Sequence, residues 1–189
     1  MKKLLLIIAA TMIVGTAFPQ SDTAKTEFER FMNRKGVALV KEVFDINFFQ
    51  CLIGSLYFEY TIFTDLNTNE KIGGVIVKST KSNGSTTKSS EAFLDYSDIL
   101  ILEDWIRWFK DNYASTSPEN FTEVMFTTNG DCKFKFYYNP KISNKWMMCV
   151  STDRVWDSDF SYFLKKETLD NILFAFDKAK GIIHEKTGK

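Results

Sequence analysis

Residues 91–112, EAFLDYSDILILEDWIRWFKDN, decide how the rest of the chain is read. β-Compatible residues run to about Tyr96. Ser97 then stands as a helix N-cap with Asp98 in the first turn. At 100° per residue, Ile101, Leu102, Trp105, Ile106, Trp108 and Phe109 share one broad arc, opposite Glu103, Asp104, Arg107, Lys110 and Asp111. Shifted by 67 positions, residues 158–179, SDFSYFLKKETLDNILFAFDKA, align with this stretch without a gap. Phe93 meets Phe160, Tyr96 meets Phe163, Leu102 meets Leu169, Ile106 meets Leu173, and Phe109 meets Phe176. The pattern is one strand-then-helix module used twice.

Working outward, the first half opens near Ser55 with SLYFEYTIFTD as a strand, TDLNTNEK as a turn and IGGVIVKST as its partner strand. Gly73-Gly74 reads as a bulge or a close backbone approach. The polar stretch KSTKSNGSTTKSS at 78–90 reads as a hairpin with Asn83-Gly84 at its tip, or else a loop. A link at 114–120, with Pro118, leads to the second half. There Asn129-Gly130 lies between FTEVMFTT and CKFKFYY, a strong hairpin signal. NPKISN makes a turn, KWMMCVST a strand, residues 153–159 an acidic loop, and FSYFL feeds the last helix, which Gly181 is expected to end. On this reading IIHEKTGK is a tail.

Upstream, residues 22–35 show helical spacing with Ala24, Phe28, Phe31 and Met32 on one face, and residues 37–46 read as a strand. The expected fold is α+β, a duplicated antiparallel strand meander plus helix, with about eight or nine strands and three helices. The domain is a single globular unit over 18–189, with halves at about 55–113 and 121–181 and a short helix and strand over 22–49 in front. This order, four strands and a helix twice over, is similar in topology to whirly-type single-stranded DNA-binding proteins. None of that family's binding motifs stands in this chain, and a fold-level likeness does not transfer function.

The first 17 residues read as a secretory signal: Lys2 and Lys3, an apolar run over 4–14, and Gly15-Thr16-Ala17 as a small-residue cleavage site. The apolar run falls well short of the roughly 20 residues a membrane span needs, and no cysteine follows the cleavage site for lipid attachment. The expected location is the periplasm or the exterior, with no spanning segment left after cleavage. Removing Lys2 and Lys3 from the 24 Lys+Arg leaves 22 against 24 Asp+Glu, a formal charge of −2. That balance gives no pull toward nucleic acid.

Chemistry is sparse. The single histidine, His184, sits in the expected tail, so no imidazole-rich metal site and no Ser-His or Cys-His catalytic pair is expected. Phosphate-cradling glycine motifs are missing, so no nucleotide cofactor is expected. Cys51, Cys132 and Cys149 allow at most one internal disulfide; Cys132 with Cys149 is the favoured pair, and three buried thiols is the equal alternative. Asp153, Asp157 and Asp159 are oxygen donors in a loop without EF-hand spacing, and read as a solvated turn. In KFKFYY, Lys133, Lys135 and Tyr137 share one face of a strand and Phe134, Phe136 and Tyr138 the other. The first set is the best candidate binding face, with Trp146 and Trp156 either extending it or entering the core; an ordinary half-buried strand is the competing reading.

No catalytic, cofactor or metal residue is assigned. The expected function is a non-enzymatic binding or accessory protein whose partner is an envelope or extracellular protein or a glycan. The alternatives are a small carboxylate-based hydrolase acting on polysaccharide and a carrier of a small apolar ligand in a phenylalanine-lined pocket.

Overall fold

The structure, a computed structural model, describes residues 26–50, 55–82, 87–152, 160–163 and 166–188. The signal region, Ala24, Cys51, the Asn83-Gly84 tip and the acidic loop with Asp153, Trp156, Asp157 and Asp159 lie outside the described residues.

The elements run α1 (Glu27–Met32), β1 (Leu39–Gln50), β2 (Ser55–Asp65), β3 (Lys71–Ser82), β4 (Thr87–Asp95), α2 (Tyr96–Asn112), β5 (Thr122–Thr127), β6 (Lys133–Tyr138), β7 (Met147–Ser151), β8 (Phe160–Phe163) and α3 (Lys166–Thr187). They form an α+β fold with two antiparallel meanders, β1-β2-β3-β4 and β5-β6-β7-β8, each followed by a helix. Against the eight or nine strands expected, the described residues form seven of five residues or more, plus the four-residue β8. β1 pairs with β2 along its length, so the first meander begins at Leu39 and not at Ser55. A bulge between Val43 and Asp45 interrupts that pairing.

The duplication is visible in the core. Leu102 and Leu169, Ile106 and Leu173, and Phe109 and Phe176 are all buried. α3 lies against β2 and β3 of the first sheet, with Phe176 stacked on Phe58 at 5.5 Å. α2 sends Phe109 and Trp105 onto Phe136 of the second sheet, at 3.9 and 5.1 Å between ring centroids. Each half's helix therefore covers the other half's sheet. Neither meander could hide its apolar face alone. These rings belong to one buried hydrophobic cluster shared by the two halves.

Several local expectations change. Helix α2 starts one residue after Asp95, which takes the N-cap position in place of Ser97; Asp98 Oδ2 accepts from the Asp95 N–H at 3.3 Å. The Asp95 carboxylate instead accepts from the N–H groups of Glu27 and Phe28, at 2.9 and 2.8 Å, and so caps α1. The buried line of α2 is Ile99, Leu102, Ile106 and Phe109, narrower than the arc read from sequence. Ile101 and Trp108 fall beyond its border and are 51% and 46% exposed. The first helix is only six residues long, and its Phe28 and Phe31 sit over Phe63, Ile72 and Ile76 on the outer face of the first sheet.

Gly181 does not end the last helix, which continues to Thr187. The extra turn is held because Ile183 is buried against Gly73, where a Cβ would come within 2.9 Å of the Ile183 side chain. That burial outweighs the roughly 1 kcal/mol helix penalty of a glycine. Gly73-Gly74 is thus a close approach with unbroken register, not a bulge. Cys132 and Cys149 are free thiols. Cys149 faces Lys135 across the β6–β7 ladder, three residues along from Cys132. That is ~10 Å of strand, against a Cα–Cα reach of about 7 Å for a disulfide.

Candidate functional site: a polar cleft where the two halves join

The strand face singled out from KFKFYY is present, but it is not open. Phe134, Phe136 and Tyr138 point into the core as expected. On the other side Lys133 and Tyr137 are half-buried and Lys135 is 7% exposed. Lys135 is flanked by Met125 and the buried Cys149. The alternation of the strand says which way a side chain points, not what covers it. Trp146 goes to the core side, among Phe109, Tyr113 and Tyr138. His184 lies on α3, exposed, and among the described residues no group of three or more His, Cys, Asp or Glu could hold a metal ion.

Three of the buried carboxylates, Glu59, Glu103 and Asp98, have structural commitments that were not legible in the sequence. Glu59 on β2 is held by Lys41 and by Lys78 Nζ at 2.8 Å. Burial pushes its pKa up, but the hydrogen bonds from both lysines outweigh it and hold the carboxyl below its ordinary value. Glu103 on α2 takes Lys180 of α3 and Arg107, each at 2.5 Å, and is lowered in the same way. Asp98 differs, because its bonded partners are neutral. Its Oδ1 accepts from the Asn129 backbone N–H at 3.0 Å and from Asn129 Nδ2 at 2.9 Å. Burial dominates there, raising the pKa above the usual aspartate value despite those donors. Burial and the Asp98 charge together push the Cys132 thiol far up, so it is no nucleophile.

A cleft of about 530 Å³ lies between the last turn of α2, the link that follows it, the β6–β7 turn and the first turns of α3. The link is folded tightly. Tyr113 and Ala114 both donate to Phe109 O, at 2.8 and 3.1 Å, and the Thr116 N–H and hydroxyl both donate to Tyr113 O at 2.8 Å. Trp146 Nε1 donates to Thr116 O at 3.0 Å and pins the link to the second half. Opposite it, Asn139 O accepts from Ile142 and Ser143, at 3.0 and 2.9 Å, and Asn139 Oδ1 accepts from Lys141 N at 3.1 Å. Ser143 Oγ accepts from Lys145 N at 3.2 Å. Both walls are therefore set by the fold's own hydrogen bonds.

Into this space project Asp111, Ser115, Ser117, Asn144 and Lys145, over a floor of Trp146 and Leu169. Among the described residues these five polar side chains have no hydrogen-bond or ion-pair partner. Lys110, also on the rim, is tied to Asp170. The sequence held no signal for this site, because its residues come from three separate stretches, 110–117, 144–146 and Leu169, and obey no periodicity. By sequence, no protein family matches the chain, and neither does any curated protein.

Proposed function

We propose that the protein is an exported, non-enzymatic binding protein whose ligand seats in the cleft at the junction of the halves. The observation that carries this reading is a recess with hydrogen-bonded walls and five unpartnered polar side chains. A site built in advance loses less ordering entropy when its ligand arrives. Export rests on the signal-like residues 1–17. The buried carboxylates Glu59, Glu103 and Asp98 are spent on lysines, an arginine and amides, which leaves them poorly placed as acid–base catalysts.

The test is a thermal-shift screen across sugars, peptides, nucleotides and fatty acids, repeated with Ser117→Trp to fill the cleft. Stabilisation by one class in the parent and its loss in the variant support the reading. Stabilisation that survives Ser117→Trp places the ligand elsewhere and overturns it. Export is checked separately by intact-mass measurement on cell fractions. A chain starting at Phe18 in the exported fraction supports it, and an uncut Met1 chain in the cytosol overturns it.

A further inference from the structure

We propose that the cleft takes a neutral, hydroxyl-rich ligand, a short glycan; this deepens the binding-protein reading and rests on it. Four features select that chemistry. Ser115, Ser117 and Asn144 each offer both donor and acceptor capacity, and a sugar hydroxyl matches both at once. The charges cancel in number: one carboxylate, Asp111, and one ammonium, Lys145, line the cleft unpaired, and Lys110 is already paired with Asp170. An anionic ligand gains no net field and meets Asp111 as it enters. Apolar surface is scarce, since Trp146 is 3% and Leu169 1% exposed, so an acyl chain would be buried against hydroxyls.

The fourth feature separates a sugar from a peptide. An extended peptide is recognised through backbone donors and acceptors in a free edge or turn. Here the carbonyls of Tyr113 and Thr116 already accept from Thr116 and Trp146, and the carbonyl of Asn139 from Ile142 and Ser143. What remains open is side-chain hydroxyl, amide and ammonium. The volume, about 530 Å³, suits a ligand of about two or three pyranose rings.

The experiment is an amide chemical-shift titration of the full chain with cellotriose, chitotriose and maltotriose as neutral probes, trigalacturonate as the anionic probe and trialanine as the peptide probe. The expected result is a saturable movement of the amides at Ser115, Thr116, Ser117, Asn144 and Lys145 with at least one neutral trisaccharide. In the double variant Ser117→Ala/Asn144→Ala affinity falls at least tenfold while the melting temperature stays put, because both side chains are exposed. If trigalacturonate or trialanine moves these amides and no neutral sugar does, the glycan assignment is overturned and the binding reading stands. If no probe moves them at millimolar concentration, the glycan assignment falls, and the thermal-shift screen with Ser117→Trp decides the binding reading independently.

Discussion

The two halves use one module at two sizes. In the first, the strands are 12, 11, 12 and 9 residues long; in the second they are 6, 6, 5 and 4. The first sheet carries α1 on its outer face, and its β2 is buried on both sides. The second is short enough that its turns, not its strands, supply most of the surface near the junction. One pair of corresponding helix positions shows how the two uses have diverged. Trp108 is 46% exposed near the end of α2, and its counterpart Ala175 on α3 is fully buried. The larger half behaves as scaffold, and the smaller one, with the link, as the place where polar groups are left open.

Crosswise packing of the helices predicts that the halves unfold as one cooperative unit, and the sharpest way to break that expectation is at its aromatic centre. Phe109→Ala removes the ring stacked on Phe136 and is expected to cost about 3–5 kcal/mol, with one unfolding transition in urea by both fluorescence and circular dichroism. Two separated transitions would mean that the halves fold independently. Next in size is the contact between the β5–β6 turn and the first sheet. A Cβ on Gly130 would lie 2.1 Å from Phe93 O, so Gly130→Ala should cost about 1–3 kcal/mol, read from the same urea curves. An unchanged midpoint would show that the turn is not seated there.

The buried carboxylates sharpen the comparison through pH. Asp98 has its folded pKa raised above 3.8, so its contribution is present below that value and lost as pH rises through the folded pKa. Glu59 and Glu103 have folded values below 4.5, so theirs are present above 4.5 and lost as pH falls through the folded values. Asp98→Asn should therefore gain stability relative to the parent between pH 3 and pH 7. Glu59→Gln should lose it over the same interval. Parallel pH profiles for the two variants would contradict these assignments. The smallest expected effect has the opposite sign to the core changes. Gly181→Ala, in open space on α3, should stabilise by about 0.5–1 kcal/mol, measured by thermal melting.

What the sequence revealed is what periodicity can carry. The repeat, the β5–β6 hairpin and the central helix follow from apolar spacing and the Asn129-Gly130 turn. The misreadings share a cause, which is that a residue's local preference was satisfied by a distant partner. Asp95 and Ser97 are both good caps, and the choice between them was made by Asp98 and by the amides of α1. Gly181 looked like a stop because Ile183 had no visible reason to be buried until Gly73 was beneath it. Lys135 looked like surface because alternation assigns a face without saying that it is covered. The cleft is the extreme case, since its polar residues are individually unremarkable and only the turn geometry brings them together.

The seat of Ile183 on Gly73 also sets a schedule. The notch at Gly73 on β3, lined by Ile62 from β2, is completed only when Ile183 of α3 has been made. Native closure of the first sheet is thus a late, long-range event, of the kind that slows folding through loop-closure entropy. Until that moment the nascent chain carries a half-lined groove, which a product cut before Ile183 could not close.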